Sequence, residues 1–203
     1  MAPANKIIPD FVGSTLDNGR YKFTRILGSG TSGTVFLADD QATDPPIQVA
    51  IKCIRKAQKN TEEEVWQMQA IRFHTAMSTH RNIVTLQRVF NEGDYIFLVM
   101  DYYRRGNLST HLAYDRLHRG DNWWIKLAFR QVTFAVEACH DKGIYHCNLK
   151  PENFLLADDG SILLTDFEYA TNNRRWATRL DIGSTQYRSP GKVLTPSHWH
   201  ASL

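Results

Sequence analysis

The sequence has little cysteine, little excess charge and no long apolar run. It holds Cys53, Cys139 and Cys147 without CxxC spacing, an odd set that fits free thiols in a reducing compartment. The formal net charge of +3 is too small to indicate nucleic-acid binding. No stretch is long and apolar enough to span a membrane, and the N-terminus lacks an apolar signal core. We therefore expect a cytoplasmic or nuclear protein that binds neither nucleic acid nor membrane.

The composition and length suit a globular protein with a core. Of the 203 residues, 42% are hydrophobic and 22% are charged, which allows one domain or two small lobes. Residues 1–19 contain scattered proline and glycine with little periodicity, so we expect a flexible leader there.

Hydrophobic periodicity changes from strand-like to helix-like near Asp101. Thr61 and Glu64 have the spacing of a capping box, which predicts a helix start. A β-rich first lobe and a helical second lobe follow from the pattern. The predicted strands are 21–27, 34–38, 47–54, 84–89, 95–100, 154–156 and 162–164, and the second-lobe helix is 123–140.

A glycine-rich segment lies between the first two predicted strands. Glycines at Gly28, Gly30 and Gly33 would let backbone N–H groups approach phosphate oxygens without a Cβ clash. A plain glycine hairpin explains the pattern equally well. The strand that follows argues against a dinucleotide site, which needs a helix there.

The segments Val49-Ala-Ile-Lys52, His146-Cys-Asn-Leu-Lys-Pro-Glu-Asn153 and Asp166-Phe-Glu168 follow in order along the chain. Together with the glycine segment, this order resembles the eukaryotic protein kinases, whose catalytic loop is His-Arg-Asp-Leu-Lys-Pro-x-x-Asn. Lys150-Pro-Glu-Asn153 is typical of the serine/threonine type. The intervals and the activation segment are similar to those of fungal serine/threonine kinases.

The resemblance implies an α+β fold with the kinase two-lobe plan. The expected parts are a β-rich N-lobe over 20–100, a hinge over 101–106 and a partial helical C-lobe over 107–203. The chain ends at Leu203, before the central helix of the family's second lobe, so the resemblance implies a truncated lobe. Apolar faces of the helix over 123–140 are then expected to be uncovered.

The resemblance also implies ATP and Mg²⁺ as ligands and a protein as partner or substrate. Asn148 takes the place of the catalytic Asp, and Lys150 the place of the catalytic-loop lysine. Asn153 and Asp166 take the places of the metal ligands. The implied ATP-binding residues are Gly28, Ser29, Gly30, Gly33, Val35, Ala50, Lys52, Met100, Asp101, Tyr103 and Leu155.

Several positions depart from the family pattern. Asn148 replaces the general base, and Cys147 replaces the arginine that would bind a phosphate on Thr171 or Thr178. Glu168 replaces a glycine and adds negative charge beside Asp166. The glutamate that would hold Lys52 falls at Ala70 or Ile71, and Gly191 stands where Ala-Pro-Glu would end. Glu63 lies seven residues before Ala70 and suits a helix-capping role.

Three hypotheses remain open. The departures favour a pseudokinase that binds ATP and acts through a protein partner. The first alternative is a serine/threonine kinase with weak residual phosphotransfer, because positioning supplies much of that catalysis. The second is a non-functional fragment.

Overall fold

A computed structural model describes residues 8–114, 122–177 and 183–187. The chain divides into two units: residues 1–68 with 84–104, and residues 69–83 with 105–203. The first helix contributes to both units, whereas the sequence suggested that residues 20–100 form one lobe. The α+β class expected from the sequence is confirmed.

The first unit is built on a six-stranded antiparallel sheet. Its order is β1-β2-β3-β4-β6-β5, so β4 lies beside β6 and the chain returns to the sheet edge at β5 after the helix Glu62–Met77. The strands are β1 Thr15–Leu16, β2 Tyr21–Gly30, β3 Gly33–Asp40, β4 Ile47–Arg55, β5 Leu86–Glu92 and β6 Tyr95–Asp101. Each predicted strand of this region is present. Most are extended by one to three residues, whereas the strand predicted over 84–89 begins two residues later and ends three residues later, as β5.

Helix α1, Glu62–Met77, begins at the predicted capping box. The Glu64 backbone N–H donates to Thr61 Oγ1 at 3.2 Å, while the Glu64 carboxylate accepts from the Asn60 N–H at 2.7 Å. The Glu64 carboxylate therefore binds the N–H of Asn60, one residue before the N–H that it binds in the usual capping box. The two bonds satisfy backbone donors near the helix start, which have no partner within the helix.

The N-terminal segment differs from the expected flexible leader. Over residues 8–19, β1 pairs with β2, and the Phe11 ring packs on the sheet's aromatic side chains. The prediction failed there because Phe11 is a single aromatic whose partners lie far along the chain, so no local periodicity signals its burial. Residues 1–7 lie outside the described residues.

The second unit contains helices and a small hairpin. Its core gathers apolar side chains from α1, from a second long helix, from the hairpin and from the turn that follows it, including Met77, Ala135, Phe154, Leu164 and Phe167. Its elements are α2 Leu108–Tyr114, α3 Asn122–Asp141, β7 Phe154–Leu156, β8 Ile162–Leu164 and α4 Arg174–Ala177, with short 3-10 turns at Pro151–Asn153, Phe167–Tyr169 and Thr185–Tyr187.

Helix α3 presents two kinds of surface. Ala128, Ala135 and Cys139 are buried in the core, as an amphipathic helix requires. Trp123 and Phe129, by contrast, are 71% and 68% exposed. Among the described residues, no helix has the length and apolarity to cross a membrane.

Candidate functional site

Four of the predicted ATP-binding residues of the first unit share one face of its sheet. Val35 pairs with Lys52, and Ala50 pairs with Met100. Because side chains alternate between faces along a strand, Val35, Ala50, Lys52 and Met100 lie on the same face. Leu98, opposite Lys52, joins them there and was not predicted.

The opposite face of that sheet is occupied by the core. Phe36, Ile51 and Val99 alternate with the predicted binding residues and are fully buried. Phe11 covers this side, with its ring 5.4 Å from that of Phe97 and 5.9 Å from that of Phe36. The fold therefore uses one face for packing and leaves the other for the residues that resemble a nucleotide site.

The three glycines of the hairpin between β2 and β3 serve different purposes. A Cβ on Gly33 would lie 2.3 Å from the Cys53 carbonyl oxygen, and the residue has φ +135°, so the fold itself requires this glycine. A Cβ on Gly28 or Gly30 would meet no atom within 4 Å. Packing therefore does not require glycine at Gly28 or Gly30. The open space beside them is compatible with a bound phosphate. The Ser29 and Thr34 hydroxyls are 3.0 Å apart across the hairpin.

The predicted hinge begins at the end of β6. Met100 is buried and Asp101 is half-buried. The Asp101 N–H donates to the Thr85 carbonyl at 3.4 Å, and its carboxylate accepts from the Gln87 amide. The Tyr103 hydroxyl donates to the same carboxylate at 3.5 Å. The Asp101 N–H is thus already used, and adenine contacts from this segment would fall to its other backbone groups.

The catalytic-loop segment of the second unit is held by His146. Its ring is 3% exposed; Nε2 bonds the Thr165 carbonyl at 2.9 Å, and Nδ1 accepts from the Asn148 N–H at 3.3 Å. These partners require a proton on Nε2 and none on Nδ1. Burial lowers the pKa of His146, so the neutral ring persists. The ring links the loop to the segment that carries Asp166.

Asn148 has a definite partner in the activation segment. Its Oδ1 accepts from the Ser184 N–H at 3.2 Å and from the Ser184 hydroxyl at 2.9 Å. Gly183 makes this approach possible, because a Cβ there would lie 2.3 Å from the Cys147 carbonyl oxygen. Asn148 is 5% exposed, so the contact is buried. Residues 188–191, at the end of the activation segment, lie outside the described residues, as does Thr178.

Asn153 and Asp166 have the chemistry of a magnesium site. The Asn153 Nδ2 donates to the Asn148 carbonyl at 2.8 Å, which leaves its Oδ1 as the remaining acceptor of a buried side chain. The Thr165 N–H donates to the Asn153 carbonyl at 2.9 Å and so ties Asp166 to this segment. Amide and carboxylate oxygens suit Mg²⁺. No group of three or more His, Cys, Asp and Glu residues that could hold a metal occurs in the described part of the chain.

Phe167 lies between two buried histidines. The ring of His74 stacks on it at 4.9 Å, and the ring of His146 meets it edge-on at 4.9 Å. Glu168 follows within the 3-10 turn, and the left-handed conformation falls on Asp166 at φ +66° rather than on Glu168. The turn therefore accommodates Glu168 where the family has glycine.

Two predicted residues flank this network. Leu155 is half-buried between the buried Phe154 and Leu156, so it points away from the core of the second unit. Lys150 is half-buried and has extended backbone angles, φ −157° and ψ 156°, directly before the turn at Pro151–Asn153.

Helix α1 supplies no carboxylate at the expected position. Its acidic residues are confined to the first turn, Glu62 to Glu64, while Ala70 is half-buried and Ile71 is buried. The structure therefore offers no other carboxylate of α1 near the position where the family has its glutamate.

Sequence reasoning missed two participants. Ser184 contacts Asn148 across 36 residues, and Thr165 connects His146 with Asn153. Contacts at such separation leave no signal in periodicity or local spacing.

Comparison with known proteins agrees with this geometry. The protein kinase domain matches residues 21–202 of the chain. The "Negative regulator of sexual conjugation and meiosis" of Schizosaccharomyces pombe is 35% identical over 83% of this chain and 36% of its own length. Serine/threonine-protein kinase SKS1 of Saccharomyces cerevisiae is 36% identical over 61% of the chain and 24% of its length.

A plant relative has comparable similarity. CBL-interacting protein kinase 16 of Oryza sativa subsp. japonica is 37% identical over 75% of this chain and 32% of its own length. The chain thus spans between 24% and 36% of these three relatives. It belongs to the protein kinase family.

Proposed function

We propose that this chain is an ATP-binding module of the serine/threonine protein kinase type that transfers phosphate poorly. The observation that carries the proposal is Asn148, which stands at the catalytic-base position with both carbonyl lone pairs directed to Ser184. Its protein partner or substrate, and its place in the cytoplasm or nucleus, remain predictions.

Each unit, taken by itself, carries residues of the kind that bind nucleotide. Val35, Ala50, Lys52 and Met100 share a sheet face, and Gly28 and Gly30 leave open space beside it. In the second unit, Asn153 Oδ1 and the Asp166 carboxylate are oxygen ligands of the kind that would hold Mg²⁺ on a triphosphate. The metal would neutralise phosphate charge when bound.

Poor transfer follows from the chemistry of an amide. A carboxylate can accept the proton of a substrate hydroxyl, and a neutral amide cannot at ordinary pH. Loss of a general base costs about 100- to 10,000-fold in rate. The Ser184 donors also occupy the only acceptor atom of the Asn148 side chain.

A serine/threonine kinase with residual activity is the second candidate. It is favoured by the intact hydrogen bonds from His146 to Thr165 and from Asn153 to the Asn148 carbonyl, which keep the loop ordered. Phosphoryl transfer depends mainly on positioning and charge stabilisation, so such a loop would support slow turnover.

A thermal melt with and without Mg-ATP tests the binding proposal. At a ligand concentration 100 times Kd, binding adds about 2.7 kcal/mol, which corresponds to roughly 5 to 11 °C in Tm for a chain of this size. We expect this rise in the wild type and its loss in Lys52→Met.

Lys22→Met is the matched control. Lys22 is an exposed lysine of the same sheet, outside the proposed site, so its variant should keep the full shift. Absence of any shift in the wild type would reject ATP binding and support the non-functional-fragment hypothesis.

A further inference from the structure

A pair of hydroxyl groups crosses the hairpin between β2 and β3. Ser29 and Thr34 lie directly opposite each other in the strand pairing, and their hydroxyl oxygens are 3.0 Å apart. A hydroxyl can donate or accept, so either residue can be the donor of this bond. Hydroxyl bonds between opposite residues stabilise an antiparallel pair of strands. The bond therefore joins the two arms of the glycine-rich segment through their side chains.

The neighbouring pairs of the hairpin cannot form a similar bond. Gly28 lies opposite Val35, and Gly30 lies opposite Gly33, so at least one partner in each pair has no side chain. Among the described strands, β3 is the one neighbour of this end of β2, because β1 pairs with the start of β2. Glycine also gives the backbone more conformational freedom. The end of β2 thus depends on few interactions, of which the hydroxyl bond is one.

The two arms of the hairpin are packed to different degrees. Thr34 is 5% exposed, and on its other side it pairs with Cys53, which is fully buried. Ser29, at the end of β2, is exposed. The hydroxyl bond therefore ties the exposed arm to the arm that is packed within the sheet. Because Thr34 is buried, removal of the Ser29 hydroxyl alone would take away the partner of a buried polar group.

The bond lies on the face of the hairpin opposite to the proposed nucleotide residues. Thr34 is two residues before Phe36 and shares the core side of the sheet with it, whereas Val35 lies on the face of Lys52. Ser29 is on the side of Thr34, because directly opposite residues of a strand pair share a face. Any effect of this hydroxyl pair on a bound nucleotide is therefore indirect.

We propose that Ser29 and Thr34 form a latch that keeps the glycine hairpin closed, and that this closure sets the affinity for the phosphates of a nucleotide. The second part rests on the proposed function. Several backbone N–H groups of the hairpin can bind one phosphate together only while both arms hold a single conformation. The two hydroxyl-bearing side chains act through the backbone, so both are positioning residues.

Ser29→Ala and Thr34→Val each remove one hydroxyl and break the latch. Hydrogen exchange of the backbone amides of residues 28–35, followed by NMR in the nucleotide-free chain, measures closure directly. We expect exchange to be about fivefold faster in either variant, as the loss of one hydrogen bond predicts. Because the two hydroxyls share a single bond, the double variant should exchange no faster than the faster single variant.

Thr24→Val is the matched control. The Thr24 hydroxyl donates to the Leu37 carbonyl at 3.1 Å, within the same pair of strands but outside the hairpin. This variant also loses one hydrogen bond, so it should lower Tm as the latch variants do. It should leave the exchange of residues 28–35 at the wild-type rate.

Titrations with Mg-ATP and with adenosine separate positioning of phosphate from general destabilisation. We expect the latch variants to bind Mg-ATP about fivefold more weakly and adenosine as tightly as the wild type, because adenosine has no phosphate. Equal losses for both ligands, or wild-type exchange in both latch variants, would overturn the proposal. If the wild type does not bind Mg-ATP but the latch variants exchange faster, the proposed function is wrong and the latch itself is confirmed.

Discussion

Phe11 should contribute measurably to stability although it precedes the first long strand. Its ring lies 5.4 to 6.0 Å from the rings of four other aromatics, and the residue is half-buried. Truncation of a buried phenylalanine to alanine costs about 3–5 kcal/mol, and half-burial reduces this to roughly 2 kcal/mol. Loss of the aromatic contacts adds about 1 kcal/mol. The partner rings are Phe23, Phe36, Tyr95 and Phe97.

The expected effect of Phe11→Ala is therefore a loss of about 3 kcal/mol, or roughly 6 to 12 °C in Tm. Urea unfolding followed by tyrosine and tryptophan fluorescence would measure it. Val12→Ala is the matched control, because Val12 is the next residue and is 43% exposed. If Phe11→Ala costs no more than Val12→Ala, the N-terminal segment does not belong to the folded first unit as we describe it.

Three further predictions address individual residues. Gly33→Ala should lower Tm, because its Cβ would lie 2.3 Å from the Cys53 carbonyl oxygen. Gly30→Ala should leave Tm unchanged and weaken ATP binding. Equal Tm values for the two variants would contradict this prediction. Arg20 hydrogen-bonds Asp40 and lowers the pKa of its carboxyl group, so this bond stabilises the fold above the unfolded-state pKa of about 4 and the stabilisation is lost as pH falls through the folded-state pKa. The difference in unfolding free energy between wild type and Asp40→Asn should therefore shrink from pH 6 to pH 3. A difference that stays constant over this range would refute the prediction. Burial raises the pKa of Cys53 to about 12 and that of Cys139 to about 11. A thiol reagent at pH 7.5 should therefore modify the half-buried Cys147 first, as followed by mass spectrometry. Faster labelling of Cys53 would contradict the structure.

Local patterns predicted the secondary structure well because their causes are local. Alternation of apolar residues located the strands, and the capping box at Thr61 and Glu64 located the start of α1. Four predicted binding residues fall on one face, because β3, β4 and β6 pair in a constant register and the alternation of side chains therefore continues from strand to strand. These residues are Val35, Ala50, Lys52 and Met100.

Other features depend on distance in space and could not be predicted. Gly28 and Gly33 look alike in sequence, and only the position of the Cys53 carbonyl separates the glycine that folding needs from one that it does not. The packing of Phe11 and the bonds from Ser184 to Asn148 likewise join residues that are remote in the chain. The family resemblance named the right segments but not these contacts.

Phosphotransfer from labelled Mg-ATP to a generic protein substrate, measured for the wild type beside Asn148→Asp, tests the central claim most directly. The aspartate would keep both Ser184 bonds and supply the missing base. We predict that Asn148→Asp is faster by about 100-fold or more, with Lys52→Met inactive as the baseline. A wild type as fast as Asn148→Asp, both well above that baseline, would contradict the account, because Asn148 would then not limit transfer.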